Sequence, residues 1–271
     1  MTKYILPNNR IPKPFNQNIL DANGKLLSDV GSCVACTFTK ILEVGNCVKK
    51  NTYIELSKGY MYGRNNYKGK KNPGMNEEYT LNVMLKRGTV PVVICPDYGE
   101  IPEIIQTLES RSDIEELDKL AEHYAIKGWE NISCNSAKER FEKVKEYLHK
   151  YQMPLAGTLK NYKGISYHSV VVVGYEDDYI LFHNHTGKDE VEKISYTKLS
   201  KIYYIDCGVE ENSLMKFNDV NKDRWSYEAI KYVYDNGFMR GISDNKFEPT
   251  KALTREEAAT IIYRLLNKEN I

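Results

Sequence analysis

The chain has 271 residues and a formal charge of +1, from 38 Lys and Arg against 37 Asp and Glu. That length allows one large domain or two unequal ones, the larger able to bury a real core. The balanced charge argues against nucleic-acid binding, which shows as a strongly basic domain or stripe. Lys68, Lys70 and Lys71 make only a short run, read as a solvated loop. Tyrosine is in excess, 21 residues against 7 Phe, and its apolar body and polar tip suit half-buried clefts without naming a ligand. The opening from Met1 to Arg10 lacks the apolar stretch of a secretory signal, and Val170 to Val173 is far too short to cross a bilayer. A cytoplasmic product, export by another route and removal of a signal all fit.

In chain order, residues 1–30 are rich in Asn, Pro, Gly and Lys and read as an irregular arm. Val34, Ala35, Phe38, Ile41, Leu42 and Val44 then recur at helical spacing. They predict a buried helix with Ser32 as N-cap, Cys33 in its first turn and Gly45-Asn46 as its stop. Asn65 to Asn76 is a loop. A helix follows from about Glu77 to Arg87, closed by Gly88, with Leu81, Met84 and Leu85 apolar. Residues 103–124 and 136–150 also read as helices, the latter with Phe141, Val144, Tyr147 and Leu148 on one face.

The pattern then changes to strands: Pro154 to Thr158, His168 to Tyr175, Tyr179 to His183 after an Asp177-Asp178 turn, and Lys201 to Asp206. The Val-rich second run predicts a central strand buried on both faces. Helices first and antiparallel strands later make an α+β arrangement. The expected division is a domain over 1–208, a polar linker over 209–216 and a small all-α helix-loop-helix unit over 217–271.

Six cysteines, Cys33, Cys36, Cys47, Cys95, Cys134 and Cys207, permit disulfides but are too scattered for the framework of a tiny secreted scaffold. Cys33 and Cys36 form a C-x-x-C pair, yet the surroundings lack the small βαβ unit of a redox dithiol. A nucleophilic thiolate gains from a helix N-terminus and a neighbouring imidazolium, with a third group to orient the base. Cys33 has the helix start. His168 opens the buried strand, and Asn184 follows the next one, so adjacent antiparallel strands can bring them together opposite Cys33. Taken singly, Cys33 reads more readily as a small buried hydrophobe and His168 as a hydrogen-bonded core residue. His183 and His185 suggest an H-x-H metal pair, but further ligands are not evident nearby.

Gly31-Ser32-Cys33-Val34-Ala35 resembles the nucleophile segment of the papain family. Tyr167 to Tyr175, with its Gly174-Tyr175 end, resembles that family's histidine strand, and Asn184-His185-Thr186-Gly187 its asparagine segment. Leu56-Ser57 with Tyr60, Tyr62 and Arg64, and Arg87-Gly88 before Val90-Pro91, are similar to bacterial members. The resemblance, over about residues 15–208, implies a helical half facing an antiparallel-sheet half. It also implies a cysteine endopeptidase or related amide-bond hydrolase acting on a peptide or protein. Cys33 would form the acyl-enzyme, His168 would carry the proton and Asn184 would hold the ring; no cofactor or metal is required. The family's oxyanion-hole glutamine is here Leu27, and losing one such donor costs about 2.7–4 kcal/mol of transition-state stabilisation. Gln17, Asn18 or Asn23 could stand in only through a shifted loop. Val34 replaces an aromatic, and the tryptophan that shields the asparagine is replaced around His185. These departures sustain a second reading, a catalytically impaired module that binds a peptide or a wall component, and a third, a purely structural surface protein.

Phe217-Asn218-Asp219-Val220, Trp225, Glu228-Ala229-Ile230, Gly237, Gly241, Asp244, Phe247, Pro249 and Thr254-Arg255-Glu256-Glu257 resemble an S-layer homology repeat along its whole length. Thr254 with Glu257 is a capping-box signature. The resemblance implies a bacterial cell-wall polysaccharide as partner, with Arg255 on the carbohydrate-binding surface. Trp225 has two readings, core contact and glycan stacking. A single repeat implies packing on the larger domain or homo-oligomer formation.

Overall fold

The computed structural model describes residues 2–7, 10–13, 19–20, 26–28, 31–50, 53–65, 74–96, 108–185, 190–209, 217–221, 223–235, 238–243 and 245–266. The chain divides into two compact units, Met1–Val209 and Glu210–Ile271.

In the larger unit the predicted first helix is α1, Cys33–Lys50, with Ala35, Phe38 and Ile41 fully buried. It does not stop at Gly45-Asn46. A Cβ on Gly45 would lie 2.4 Å from the Cβ of Cys207, so this glycine permits close approach rather than ending the helix. Asn46 Nδ2 donates back to the Leu42 carbonyl at 3.0 Å. Within α1, Lys40 and Glu43 form a buried ion pair at 2.7 Å. The Glu43 carboxylate also accepts from the Tyr53 hydroxyl at 2.6 Å and the Leu56 N–H at 2.9 Å, tying the helix to the segment beyond it.

The next helix, α2 (Lys58–Asn65), is not suggested by its two glycines. In α3, Glu77–Met84, Asn76 caps the start by accepting from the Tyr79 N–H, and the helix ends before the predicted Arg87. The helix expected within 103–124 is α4, Ile114–Glu122, preceded by a turn across which Arg111 pairs with Asp113 at 2.7 Å. Finally, α5 (Ala137–Tyr151) starts at Ser136, which accepts from the Glu139 N–H, and ends on left-handed Gln152.

The strands are β1 (Lys3–Ile5), β2 (Ile19–Leu20), β3 (Leu26–Ser28), β4 (Gly128–Asn131), β5 (Leu155–Tyr162), β6 (Ile165–Glu176), β7 (Tyr179–His183), β8 (Val191–Ser195) and β9 (Leu199–Asp206). The main sheet runs β4-β9-β5-β6-β7-β8 with every pairing antiparallel. β1 pairs with Gly174–Glu176 of β6, so part of the arm expected to be irregular belongs to the sheet. Gly174 makes this possible, since a Cβ there would sit 2.3 Å from the Tyr4 carbonyl oxygen. β2 and β3 form a separate ribbon. Val170 to Val173 are all buried, as the sequence predicts for a strand covered on both faces, and α1 lies across β6. The resulting α+β architecture has a helical half facing an antiparallel sheet.

The smaller unit holds α6, Tyr227–Asp235, and α7, Arg255–Leu266. Among its described residues Phe217, Val220, Tyr227, Ile230 and Phe247 pack as one buried cluster. Asp219 accepts the N–H groups of Phe247 and Glu248 at 3.0 and 2.8 Å, and Thr254 and Glu257 form the predicted reciprocal capping box.

Candidate active site

Cys33 is the first residue of α1, where unsatisfied N–H groups gather. Its sulfur takes a hydrogen bond from the backbone N–H of Ser169, the residue after His168, and is further favoured as an anion by the Val34 and Cys33 amides. Burial is the largest influence and pushes the thiol up, with the Glu77 carboxylate adding to the rise. Glu77, the first residue of α3, is held by the Thr158 hydroxyl at 2.5 Å; Thr158 stands opposite Ser169 in the sheet. The carboxylate therefore sits one strand from the Cys33 contact.

His168 and Asn184 meet. His168 Nε2 is 2.8 Å from Asn184 Oδ1, and both side chains are buried. Their strands make this contact: β6 carries His168, β7 pairs with it, and Asn184 follows directly on β7. Asn184 Oδ1 also accepts the His185 N–H at 2.9 Å. The opposite end of the amide donates to Tyr162 Oη at 3.0 Å and to Glu192 Oε1 at 2.8 Å. Tyr162 lies parallel to the His168 ring, with centroids 5.4 Å apart and planes 7° apart.

His185 Nε2 is engaged by protein groups. It lies 3.0 Å from both the Ser169 carbonyl and the Thr37 hydroxyl, and burial, with His168 nearby, brings the His185 pKa down to about 3. Among the described residues no three His, Cys, Asp or Glu side chains gather as a metal set. Cys36 is buried inside α1 with its sulfur 3.8 Å from Ser32 Oγ. Among the described residues no disulfide forms. Leu27 lies in β3. Gln17, Asn18 and Asn23, the loop lysines Lys68, Lys70 and Lys71, Thr186-Gly187, the linker from residue 210 to 216, Gly237 and Asp244 lie outside the described residues.

In the smaller unit Arg255 is exposed at the start of α7, and Trp225 is 93 % exposed, which removes the core-contact reading of that tryptophan. Three groups escape a reading of the sequence, namely Tyr162 and Glu192 beside Asn184 and Glu77 acting on the Cys33 thiol. Each reaches the site from an element other than those carrying Cys33, His168 and Asn184, and no local motif marks them.

Solved structures with the same arrangement of helices and sheet are cysteine peptidases. Procathepsin L2 from the larval midgut of Tenebrio molitor superposes with a TM-score of 0.53 at 13% identity, over 76% of this chain and 68% of that one. Bromelain from Ananas comosus, solved with the E64 inhibitor, gives 0.50 at 15% identity over 73% and 94%. The larger unit has the papain-like fold. The family described as S-layer homology domain matches residues 216–259. There the chain is 36% identical over 72 residues to the Surface-layer 125 kDa protein of Lysinibacillus sphaericus, covering 27% of this chain and 6% of that protein. It is 39% identical over 66 residues to the Cellulosome-anchoring protein of Acetivibrio thermocellus, covering 22% and 15%. The chain thus spans only a small part of these relatives' lengths. The papain-like unit is followed by an S-layer homology domain. No described helix is long and apolar enough to cross a membrane.

Proposed function

We propose that the papain-like unit is a cysteine peptidase or related amide-bond hydrolase with Cys33, His168 and Asn184 as its catalytic group. The observation that carries this reading is the His168–Asn184 hydrogen bond at 2.8 Å beside a helix-start cysteine whose sulfur meets the N–H of Ser169. With Nε2 engaged by Asn184, Nδ1 is the nitrogen that takes the thiol proton. Cys33 Sγ then attacks the scissile carbonyl carbon, and its backbone N–H donates to the oxyanion. The imidazolium returns the proton to the leaving amine, and water, deprotonated by His168, releases the acid and restores the thiol. The substrate class is a peptide or protein, with wall cross-bridge peptides included.

For the S-layer homology domain we propose attachment to a cell-wall polysaccharide, with exposed Arg255 and Trp225 on the binding surface. The words surface-layer and anchoring in the names of the similar proteins support this. It would hold the peptidase at a bacterial surface.

The test is the pH dependence of Cys33 alkylation, mapped by peptide mass spectrometry, beside turnover of a peptide library. Turnover abolished in Cys33→Ala, with alkylation at neutral pH slowed in His168→Ala, supports a working pair. The burial that pushes the Cys33 thiol up favours the second reading, a peptide-binding module without turnover. Retained peptide binding with a thiol indifferent to His168→Ala would select that reading instead.

A further inference from the structure

We propose that Glu192 is a positioning residue that fixes the orientation of Asn184 and, through it, the proton-bearing nitrogen of His168. This inference rests on the peptidase reading above. All four hydrogen-bonding directions of the Asn184 amide are used. Oδ1 accepts from His168 and from the His185 N–H, while Nδ2 donates to Glu192 and to Tyr162. Turning the amide over would set its oxygen against the Glu192 carboxylate, two acceptors face to face, and its NH₂ against the His185 N–H, two donors. The carboxylate is the partner that makes the choice decisive, because it cannot donate while ionised. A locked oxygen toward His168 requires a proton on Nε2, and the neutral ring then keeps its lone pair on Nδ1 for the thiol.

Glu192 is itself held in place. Tyr162 donates to its Oε2 at 2.6 Å, and Lys163 lies 3.1 Å from the same oxygen. Burial pushes the carboxyl up, but the bonds from Tyr162, Asn184 and Lys163 outweigh it and hold the group below the usual carboxylate range. It is therefore an anion at neutral pH. The register seats it there, since Glu192 of β8 stands opposite Phe182 of β7, next but one before Asn184. Tyr162 comes from β5, on the other side of β6, and covers the His168 ring. Tyr162 and Glu192 thus hold the asparagine amide by hydrogen bonds where the sequence lacks the shielding tryptophan.

Other groups facing this relay do not replace its charge. His185 lies edge-on to His168 at 5.9 Å and is neutral, while Lys40 and His183 act on His185. Glu77 acts on the thiol. The Glu192 charge lies on the far side of the Asn184 amide from His168 and favours a cation there, so its removal disfavours the thiolate–imidazolium pair.

The experiment compares the full chain with Glu192→Gln and Tyr162→Phe, reading Cys33 alkylation by iodoacetamide against pH and the His168 ring nitrogens by ¹⁵N NMR. In Glu192→Gln the onset of alkylation should move up by roughly half to one pH unit, about a three- to tenfold slower reaction near pH 7. The neutral His168 ring, all Nε2–H in the parent, should become a mixture of tautomers. Tyr162→Phe should shift both readouts the same way by less, and it replaces Glu192→Gln if that variant does not fold. A variant that melts earlier yet keeps the parent His168 tautomer and alkylation profile overturns the proposal and leaves Glu192 a strand brace. A parent whose Cys33 reactivity ignores His168 overturns the peptidase reading alone, because the tautomer comparison still reports on the Glu192–Asn184–His168 chain.

Discussion

The two units reveal themselves in opposite ways. The papain-like unit shares only 13% and 15% identity with structures of its fold, yet a buried hydrogen bond joins His168 to Asn184, and Cys33 opens a helix with its sulfur against the Ser169 N–H. The S-layer homology unit matches at 36% and 39%, yet among its described residues the main buried cluster is small and most of α7 is exposed. A small unit has few ways to close a core, so the residues that do so stand near each other in sequence and form a readable motif. Gly241 is one: a Cβ there would lie 2.3 Å from the Phe217 ring. In the large unit the same work is shared among residues far apart in the chain, and sequence similarity fades while the arrangement persists.

Three substitutions sharpen that contrast. The largest effect belongs to Glu43→Ala, which leaves the Lys40 ammonium buried without its carboxylate and should cost roughly 3–5 kcal/mol in denaturant unfolding of the larger unit. A loss below about 1 kcal/mol would mean that the pair behaves as an exposed one. Asp219→Ala removes two backbone partners in the smaller unit and should cost about 1–3 kcal/mol there, read as faster amide exchange at Phe247 and Glu248. The same contact responds to acid. Burial raises the Asp219 carboxyl, but the Phe247 and Glu248 N–H groups outweigh it and hold the pKa below the usual range. Its stabilisation is therefore complete above the unfolded value of about 3.9 and fades as pH falls through the folded one. Acid titration of the smaller unit followed by those amides checks the sign. The smallest effect on stability is that of exposed Trp225→Ala, within about 0.5 kcal/mol, while sedimentation with purified wall polysaccharide should weaken. Unchanged sedimentation would remove Trp225 from the binding surface.

Much of the larger fold is legible because its core residues are periodic. The α1 spacing and the run Val170 to Val173 specify a buried helix and a two-sided strand, and the Cys33, His168 and Asn184 positions follow from them. What is not legible depends on distant neighbours. Gly45 looks like a helix stop until Cys207 is seen against it. β8 alternates weakly because it is an edge strand with mixed exposure, so Glu192 reads as one more surface acid. Trp225 looks like core because large aromatics in small units usually are, and only the folded unit shows it standing in solvent.

Gly174 carries a consequence for the protein's behaviour in concentrated solution. By admitting β1 it gives the upper part of β6 a partner where β5 has ended. The stretch that β1 covers is Gly174–Glu176, and an unpaired strand edge is a template on which another chain can add. A bulkier residue at Gly174 would collide with β1 and expose that edge, so the glycine that seats the strand also keeps the edge covered.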